Sequence, residues 1–285
     1  MEGLEKFVHR ELIERELEHS EVYRYLDKYM DKSIFVTEDL RGNASVKQGH
    51  TIWILWLQGI ENAPRLVRKC YASVCRNKPD DFDVIVLTKE NLSEYIQLPD
   101  FIWQKYREGK ITIPHLSDLI RVELLCTYGG CWMDATVFCS GRIPDYMLSG
   151  DMFLFKTSSM ENIVIRMSSW FLSGSRNNRI FHATRKMLHA FWEAEEDVHN
   201  YFLLHIAMSK IIDQDSASGA IYRGIPYFNN GNPHVLMRKL GMEFDEGEWE
   251  IIKDISVIHK LTNKQRYLQG DIYNYYQALL DDRLR

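Results

Sequence analysis

The chain has 285 residues, of which 45% are hydrophobic and 26% are charged, and its formal net charge at pH 7 is -5. This length suits one large domain with a substantial core, and a composition close to that of globular proteins excludes a disordered or fibrous chain. The negative balance excludes broad binding along a phosphate backbone, so nucleic acid is not an expected partner.

The sequence carries no recognisable signal for export or membrane insertion. Its first residues lack the basic and long apolar segments of a secretory signal. The longest apolar run, from Ile52 to Leu57, is far shorter than the roughly 20 residues of a spanning helix. Five cysteines without a C-x-x-C pair predict reduced, mostly buried thiols. We therefore expect a cytoplasmic protein, with at most a peripheral association at the inner face of the membrane.

The first 45 residues combine spaced apolar side chains with many charges, which is a loosely helical pattern. It predicts one or two amphipathic helices that form an N-terminal helical extension (1–45) to a main domain over residues 50–285. Packing on that domain and contact with another subunit or a membrane are both open for this extension.

The next segment predicts the start of a layered sheet. Thr51 to Leu57 is a continuous apolar and aromatic run, as in a strand buried on both faces, and Asp83 to Thr88 is a second one. Between them, Asn62 and Pro64 predict the beginning of a helix that ends near Arg76. Strand, helix and strand with short connections form a βαβ unit, which favours an α/β fold.

A further helix is predicted from Ser117, as its N-cap, to Tyr128, with Asp118 in the first turn and Gly129 in a left-handed C-terminal position. One buried strand is expected from Cys131 to Phe138. The rest of the chain predicts a strand at Met152–Phe155, helices near 179–194 and 198–212, a loop-rich stretch over 213–233 and a short strand from Ile255 to Ile258.

Three charged residues are expected to converge at one edge of this sheet. Asp118 and Arg121 are three apart near a helix start and project from one face, and Asp134 lies on the strand that follows. Each also has a purely structural interpretation, as a cap, an intrahelical partner or a polar residue that leaves a strand. However, a carboxylate in an apolar segment is costly unless it is paired, and ligands of open α/β sheets bind beyond the carboxyl ends of strands. A ligand site is therefore predicted.

The string from Ser117 to Thr136 resembles the S-D-x-x-R…G-G-x-(aromatic)-x-D signature of glycosyltransferase family 32, and in particular its capsular polysaccharide synthesis branch. Weaker similarity in the same order extends to Trp53–Gly59, Tyr201–His205 and His259–Thr262, so the resemblance covers about residues 50–265. It implies a GT-A fold, which is a Rossmann-like mixed sheet flanked by helices. It also implies a nucleotide-diphospho-sugar donor, with a UDP-sugar favoured, and transfer with retention.

The resemblance also implies roles for particular residues. An aromatic side chain of the first strand lies near the nucleotide base, for which we choose Trp56 over Trp53, although core packing explains either tryptophan equally well. Tyr201 and His205 are one helical turn apart and are expected to line the acceptor groove, with core packing again open. The expected catalytic residues are Asp118, Arg121 and Asp134, and the expected donor-binding residues are Trp56, Gln58, Ser117, Gly129, Gly130 and Lys260.

The sequence departs from the family signature at one position. The signature continues as D-x-D, but here the third residue is Thr136. We expect Mn²⁺ or Mg²⁺ to neutralise the diphosphate, held by Asp134, Thr136 and His259. Metal-independent binding by Lys260, Arg121 and backbone donors is the alternative.

The expected reaction is sugar transfer to a saccharide or lipid-linked saccharide acceptor in capsule-type polysaccharide biosynthesis. Two other functions are open. A binding subunit that has lost activity with its second aspartate would bind the donor without turnover. A glycoside hydrolase needs two carboxylates but no nucleotide donor.

Overall fold

The computed structural model describes residues 2–158, 162–197, 200–264 and 272–284. It confirms the predicted α/β class, with a mixed sheet flanked by helices. The strands are β1 Thr51–Leu55, β2 Asp83–Leu87, β3 Gly130–Met133, β4 Val137–Cys139, β5 Met152–Lys156, β6 Met167–Gly174 and β7 Ile258–Lys260. The helices are α1 Glu2–Tyr25, α2 Arg65–Asn77, α3 Leu92–Tyr95, α4 Asp100–Arg107, α5 Ile113–Tyr128, α6 Arg179–Ala194, α7 Leu203–Gln214, α8 Ser216–Gly224, α9 Val235–Lys239, α10 Glu246–Ile255 and α11 Tyr275–Leu280.

The main sheet has five strands in the order β2-β1-β3-β6-β5. β1 pairs in parallel with both β2 and β3, which confirms the predicted βαβ unit of β1, α2 and β2. β6 is antiparallel to β3, and β5 is antiparallel to β6. Because β1 and β3 are parallel neighbours, the residues that follow their carboxyl ends lie at the same edge of the sheet.

A second, two-stranded sheet pairs β4 with β7 in antiparallel fashion. The single strand predicted from Cys131 to Phe138 is therefore wrong, since the chain leaves the main sheet after Met133. The short strand predicted from Ile255 to Ile258 is also misplaced, because Ile255 ends α10 and the strand begins at Ile258.

Several predicted element boundaries also need correction. α5 begins at Ile113, with Thr112 in the N-cap position and a proline in its first turn, where proline is well tolerated. Ser117 is therefore not an N-cap, and Asp118 lies in the second turn. Pro64 rather than Asn62 occupies the N-cap position of α2.

Among the described residues of the second half of the chain, five elements are not predicted by the sequence pattern: β6, α8, α9, α10 and α11. α8 lies within the predicted loop of residues 213–233, and the Asp215 side chain caps its N-terminus. β6 is buried along its whole length, so its three serines interrupt the apolar pattern without facing solvent. The predicted helix at 179–194 is confirmed. Of the helix predicted at 198–212, residues 198 and 199 lie outside the described residues, and α7 begins at Leu203.

The N-terminal segment is helical, as predicted, and packs on the rest of the chain. α1 contacts α7, and Lys210 of α7 forms an ion pair with Asp27 at 2.7 Å. Leu26, Ile34 and Val46 are part of the main hydrophobic core. The division into residues 1–45 and 50–285 stays a prediction. Among the described helices, none is long and apolar enough to cross a membrane.

Candidate active site

A cavity of about 490 Å³ opens where β1 and β3 end, beside the first turns of α5. Residues 56–58, after β1, and residues 134–136, after β3, form its walls together with one face of α5. Nine of the predicted site residues meet in this cavity: Trp56, Gln58, Ser117, Asp118, Arg121, Asp134, Thr136, Tyr201 and His205.

Arg121 connects the helix and the strand that contribute to this cavity. Ser117, Asp118 and Arg121 share a face of α5 because residues three and four apart are neighbours on a helix. The Arg121 guanidinium donates from Nη1 to Asp118 Oδ1 at 2.8 Å and from Nη2 to Asp134 Oδ1 at 3.2 Å. It also lies over the Trp132 ring, 4.8 Å from its centre. The predicted convergence of the three charges is thus present.

Asp134 is held from three sides. Trp132 Nε1 donates to its Oδ1 at 3.0 Å, beside the Arg121 contact. Lys260 Nζ lies 3.0 Å from its Oδ2 and also donates to Thr136 Oγ1 at 2.6 Å. The sequence reasoning did not assign Trp132 a role, although this residue is the aromatic position of the family signature. Asp118, Arg121, Asp134 and Lys260 are referred to below as the charged network, which has two carboxylates and two cations.

The surroundings shift the pKa values of the site residues in different directions. Burial raises the pKa of Asp118 to about 7, with the Asp134 charge adding to the effect and Arg121 opposing it. Burial also opposes ionisation of Asp134, but Lys260 and Arg121 outweigh it and lower the pKa of that carboxyl. Burial, followed by the Arg121 charge, lowers the pKa of His205 to about 3. At neutral pH, Asp134 is therefore ionised and His205 is neutral.

A second cavity, of about 480 Å³, adjoins the first. The two share Asp134, Ser169, Tyr201 and His205. Lys260 lines the second cavity, at its boundary with the first. The other described lining residues come from distant parts of the sequence and include Arg15 and His19 of α1, Asn162 between β5 and β6, Trp170 of β6, Asn230 and His234 before α9, and Arg238 of α9.

Gly129 and Gly130 line neither cavity, and their assignment to donor binding stays a prediction. They lie at the start of β3, and Asp134 follows its other end, about 13 Å away at 3.3 Å per residue. Both have left-handed backbones, with φ of 70° and 86°. A Cβ on Gly130 would lie 2.3 Å from the Thr51 carbonyl oxygen. Glycine is required here by the backbone approach of β3 to β1.

His259 is also absent from both cavities, so the structure does not bring it together with the other expected metal ligands, Asp134 and Thr136, and its assignment as a metal ligand stays a prediction. Its side chain is fully buried, between the rings of Phe138 and Trp249, and its Nε2 forms a hydrogen bond with Ser140 at 2.9 Å. Successive residues of a strand face opposite sides. Because Lys260 faces Asp134, His259 faces the core.

The residues that remain do not fit a divalent ion. Mg²⁺ and similar cations need several oxygen ligands. In the part of the chain that the structure describes, no three His, Cys, Asp or Glu side chains are grouped to hold a metal. Asp134 accepts from Trp132, Arg121 and Lys260, which leaves about one of the four lone pairs of a carboxylate.

Known proteins show sequence similarity to parts of this chain. The O-glycosyltransferase braB of Annulohypoxylon truncatum is 23% identical over 203 residues, which is 64% of this chain and 48% of braB. The glycosyltransferase afumC of Aspergillus fumigatus is 32% identical over 91 residues, which is 29% of this chain and 23% of afumC. The matched part therefore spans less than half of either relative.

The chain also matches a solved structure and a family model. The PaToxG glycosyltransferase superposes with a TM-score of 0.39 and 13% identity over 73% of this chain and 85% of that chain. The family model described as capsular polysaccharide synthesis protein matches residues 5–279. Because this match covers nearly the whole sequence, the chain belongs to the capsular polysaccharide synthesis protein family.

Proposed function

We propose that this protein is a glycosyltransferase of the GT-A type, close to glycosyltransferase family 32, which moves a sugar from a nucleotide-diphospho-sugar to an acceptor in capsule-type polysaccharide synthesis. The observation that carries the proposal is the charged network that lines two adjoining cavities beyond the ends of two parallel strands. Relatives that share parts of the sequence are named glycosyltransferases, which supports the same reaction class.

The donor fits the first cavity with its base near Trp56 and its diphosphate near the cations. Trp56 lines the cavity, whereas Trp53 is fully buried and donates from Nε1 to the Gly129 carbonyl oxygen. This difference supports Trp56 as the residue beside the base. Cationic side chains bind phosphate oxygens by charge-assisted hydrogen bonds, which supports a diphosphate position beside Arg121 and Lys260.

The charged network also defines how the reaction proceeds. Transfer passes through an oxocarbenium-like state as the bond between the anomeric carbon and the phosphate oxygen breaks. The two cations stabilise the charge that develops on the departing diphosphate. His205 is neutral and weakly basic, with a pKa of about 3, and Asp134 is held by both cations. Asp118, which has a pKa of about 7, lines the first cavity but not the second, where we place the acceptor. We therefore assign the acceptor proton to the departing phosphate oxygen, on the face where the new glycosidic bond forms, so that configuration is retained.

The second cavity suits the acceptor, because Tyr201 and His205 lie at its boundary with the first. Aromatic rings such as that of Tyr201 provide a stacking surface for sugars. Asp134 is the single carboxylate among the described lining residues, whereas Arg15, Arg238 and Lys260 are cationic. This charge favours an acceptor that is itself anionic, such as a saccharide linked to a lipid through a diphosphate, presented at the inner face of the membrane.

Incubation with a panel of nucleotide sugars, with detection of released nucleoside diphosphate, tests the proposal. We expect slow hydrolysis of one donor, loss of turnover in Asp134→Asn and unchanged turnover in Asp145→Asn, whose carboxylate is exposed outside both cavities. The anomeric configuration of the sugar product, read by NMR, tests retention. Binding of a donor without any turnover would identify a non-catalytic binding subunit instead, and release of sugar from a saccharide without a nucleotide would identify a hydrolase.

A further inference from the structure

A cation of the protein lies between the first and the third residue of the segment that departs from the D-x-D signature. Lys260 Nζ bridges Asp134 Oδ2, at 3.0 Å, and Thr136 Oγ1, at 2.6 Å. These two residues occupy the first and third positions of the Asp134-Ala135-Thr136 segment. The ammonium group therefore contacts two of the three side chains that were expected to hold a metal ion, Asp134 and Thr136.

We propose that Lys260 is the built-in cation of this site, and that donor binding and sugar transfer need no divalent ion. The proposal rests on the proposed function, because it assigns the group that neutralises the departing diphosphate. It selects the metal-independent alternative over the expected Mn²⁺ or Mg²⁺.

The charge balance of the segment supports this assignment. The charges of two carboxylates and a divalent ion sum to zero. The charges of Asp134, Thr136, which is neutral, and Lys260 also sum to zero. Replacement of the second carboxylate by threonine removes one negative charge. The lysine then supplies one positive charge, in place of the two positive charges of a divalent ion. A divalent ion added to the existing set would lie beside an ammonium group, and the repulsion between the two positive charges at such short range opposes its binding.

The geometry also leaves Lys260 able to bind a phosphate oxygen. An ammonium group has three N–H donors, of which Asp134 and Thr136 accept two. The Lys260 side chain is 20% exposed, compared with 5% for Arg121, so Lys260 is the more accessible of the two cations. Its position is fixed by the pairing of Val137 with Lys260, and by the Leu261 N–H, which donates to the Thr136 carbonyl oxygen at 2.9 Å.

Binding of free nucleoside diphosphates, without any turnover, gives the first test. UDP, GDP, CDP and ADP are titrated calorimetrically into the full chain with EDTA and then with Mn²⁺. We expect the preferred diphosphate to bind with the same Kd in both buffers. Lys260→Met should weaken binding about ten- to hundredfold, which is the usual worth of a hydrogen bond to a charged group. Lys260→Arg, which keeps the charge, should lose much less, and circular dichroism checks that both variants are folded.

A designed exchange of cations gives the second test. The double variant Thr136→Asp/Lys260→Ala restores the second carboxylate and removes the ammonium group, so we expect its diphosphate binding to become dependent on Mn²⁺. Thr136→Ser keeps the hydroxyl group and should remain insensitive to EDTA. Electron paramagnetic resonance of Mn²⁺ should detect an immobilised ion only in the double variant.

The outcomes separate this proposal from the proposed function. Loss of diphosphate binding or donor hydrolysis by the wild type in EDTA, with recovery in Mn²⁺, overturns the role of Lys260 but leaves a glycosyltransferase. Unchanged diphosphate affinity in Lys260→Met also overturns it. If no diphosphate binds and no donor is hydrolysed in either buffer, the proposed function fails, and the inference fails with it.

Discussion

Replacement of Asp118 by asparagine should make the folded protein more stable, although this carboxylate belongs to the charged network. The pKa of Asp118 rises from 3.8 to about 7, and each pKa unit corresponds to about 1.4 kcal/mol. Ionisation of this carboxylate therefore costs about 4 kcal/mol of folding free energy at pH 8. Because the raised pKa removes stability as pH rises from 3.8 towards 7, the advantage of Asp118→Asn should grow from about 2 kcal/mol at pH 5 to about 4 kcal/mol at pH 8.

Asp215 provides a matched control with the opposite sign. Its side chain is 15% exposed, compared with 12% for Asp118. The Arg179 side chain is the main cause that lowers the pKa of Asp215 to about 2. Its stabilising contribution is present above pH 3.8 and is lost as pH falls through 2. Asp215→Asn should therefore reduce stability by about 2 kcal/mol, to the same extent at pH 5 and pH 8.

Urea unfolding of both variants and the wild type at pH 5, 6, 7 and 8 measures these differences. The comparison with wild type at each pH cancels the titration of all other groups. A lower stability of Asp118→Asn at pH 8, or a difference that does not grow with pH, would refute the reasoning, since the ion pair with Arg121 would then outweigh the burial of the carboxylate. If the prediction holds, Asp118 reduces stability, as is common for residues kept for activity.

Three further results are expected. Trp56→Ala should raise the KM for the donor about fivefold to a hundredfold, since stacking of a base on an aromatic ring contributes about 1–3 kcal/mol, and steady-state kinetics should show a smaller effect on kcat. Tyr201→Ala should raise the KM for the acceptor while donor hydrolysis without acceptor stays near the wild-type rate. Gly130→Ala should lower thermal stability far more than Gly49→Ala, because both glycines have φ near 80° but only the first has a backbone atom, Thr51 O, in the path of a Cβ. Equal losses in the two glycine variants would contradict this interpretation.

Features that depend on neighbouring residues could be predicted from the sequence. Asp118 and Arg121 share a helix face through their spacing alone, even though the helix begins four residues earlier than expected. Asp134 interrupts an apolar segment and follows a buried strand. Trp56 and Gln58 follow another apolar strand. Because β1 and β3 are parallel, their carboxyl ends lie at one edge of the sheet. The position of the first cavity at this edge could therefore be predicted.

Features that depend on distant packing could not be predicted. β6 separates β3 from β5, but its serines give no period that marks a strand. The second cavity needs Arg15 and His19 of α1 to lie against residues more than 140 positions later in the sequence. Gly129 and Gly130 match the family signature, yet the reason why they are glycines is the closeness of distant backbone, the Gly174 carbonyl oxygen for Gly129 and the Thr51 carbonyl oxygen for Gly130.

The register between β4 and β7 decides which cation the site contains. Val137 pairs with Lys260 and Phe138 with His259, so alternation directs the lysine towards Asp134 and the histidine into the core. A shift by one residue would exchange these faces and present an imidazole, which is a metal ligand, in place of an ammonium group. The burial of His259 between two aromatic rings therefore holds Lys260 on the opposite face of β7, beside Asp134. The chemistry at Asp134 depends on a strand that lies 124 residues further along the chain.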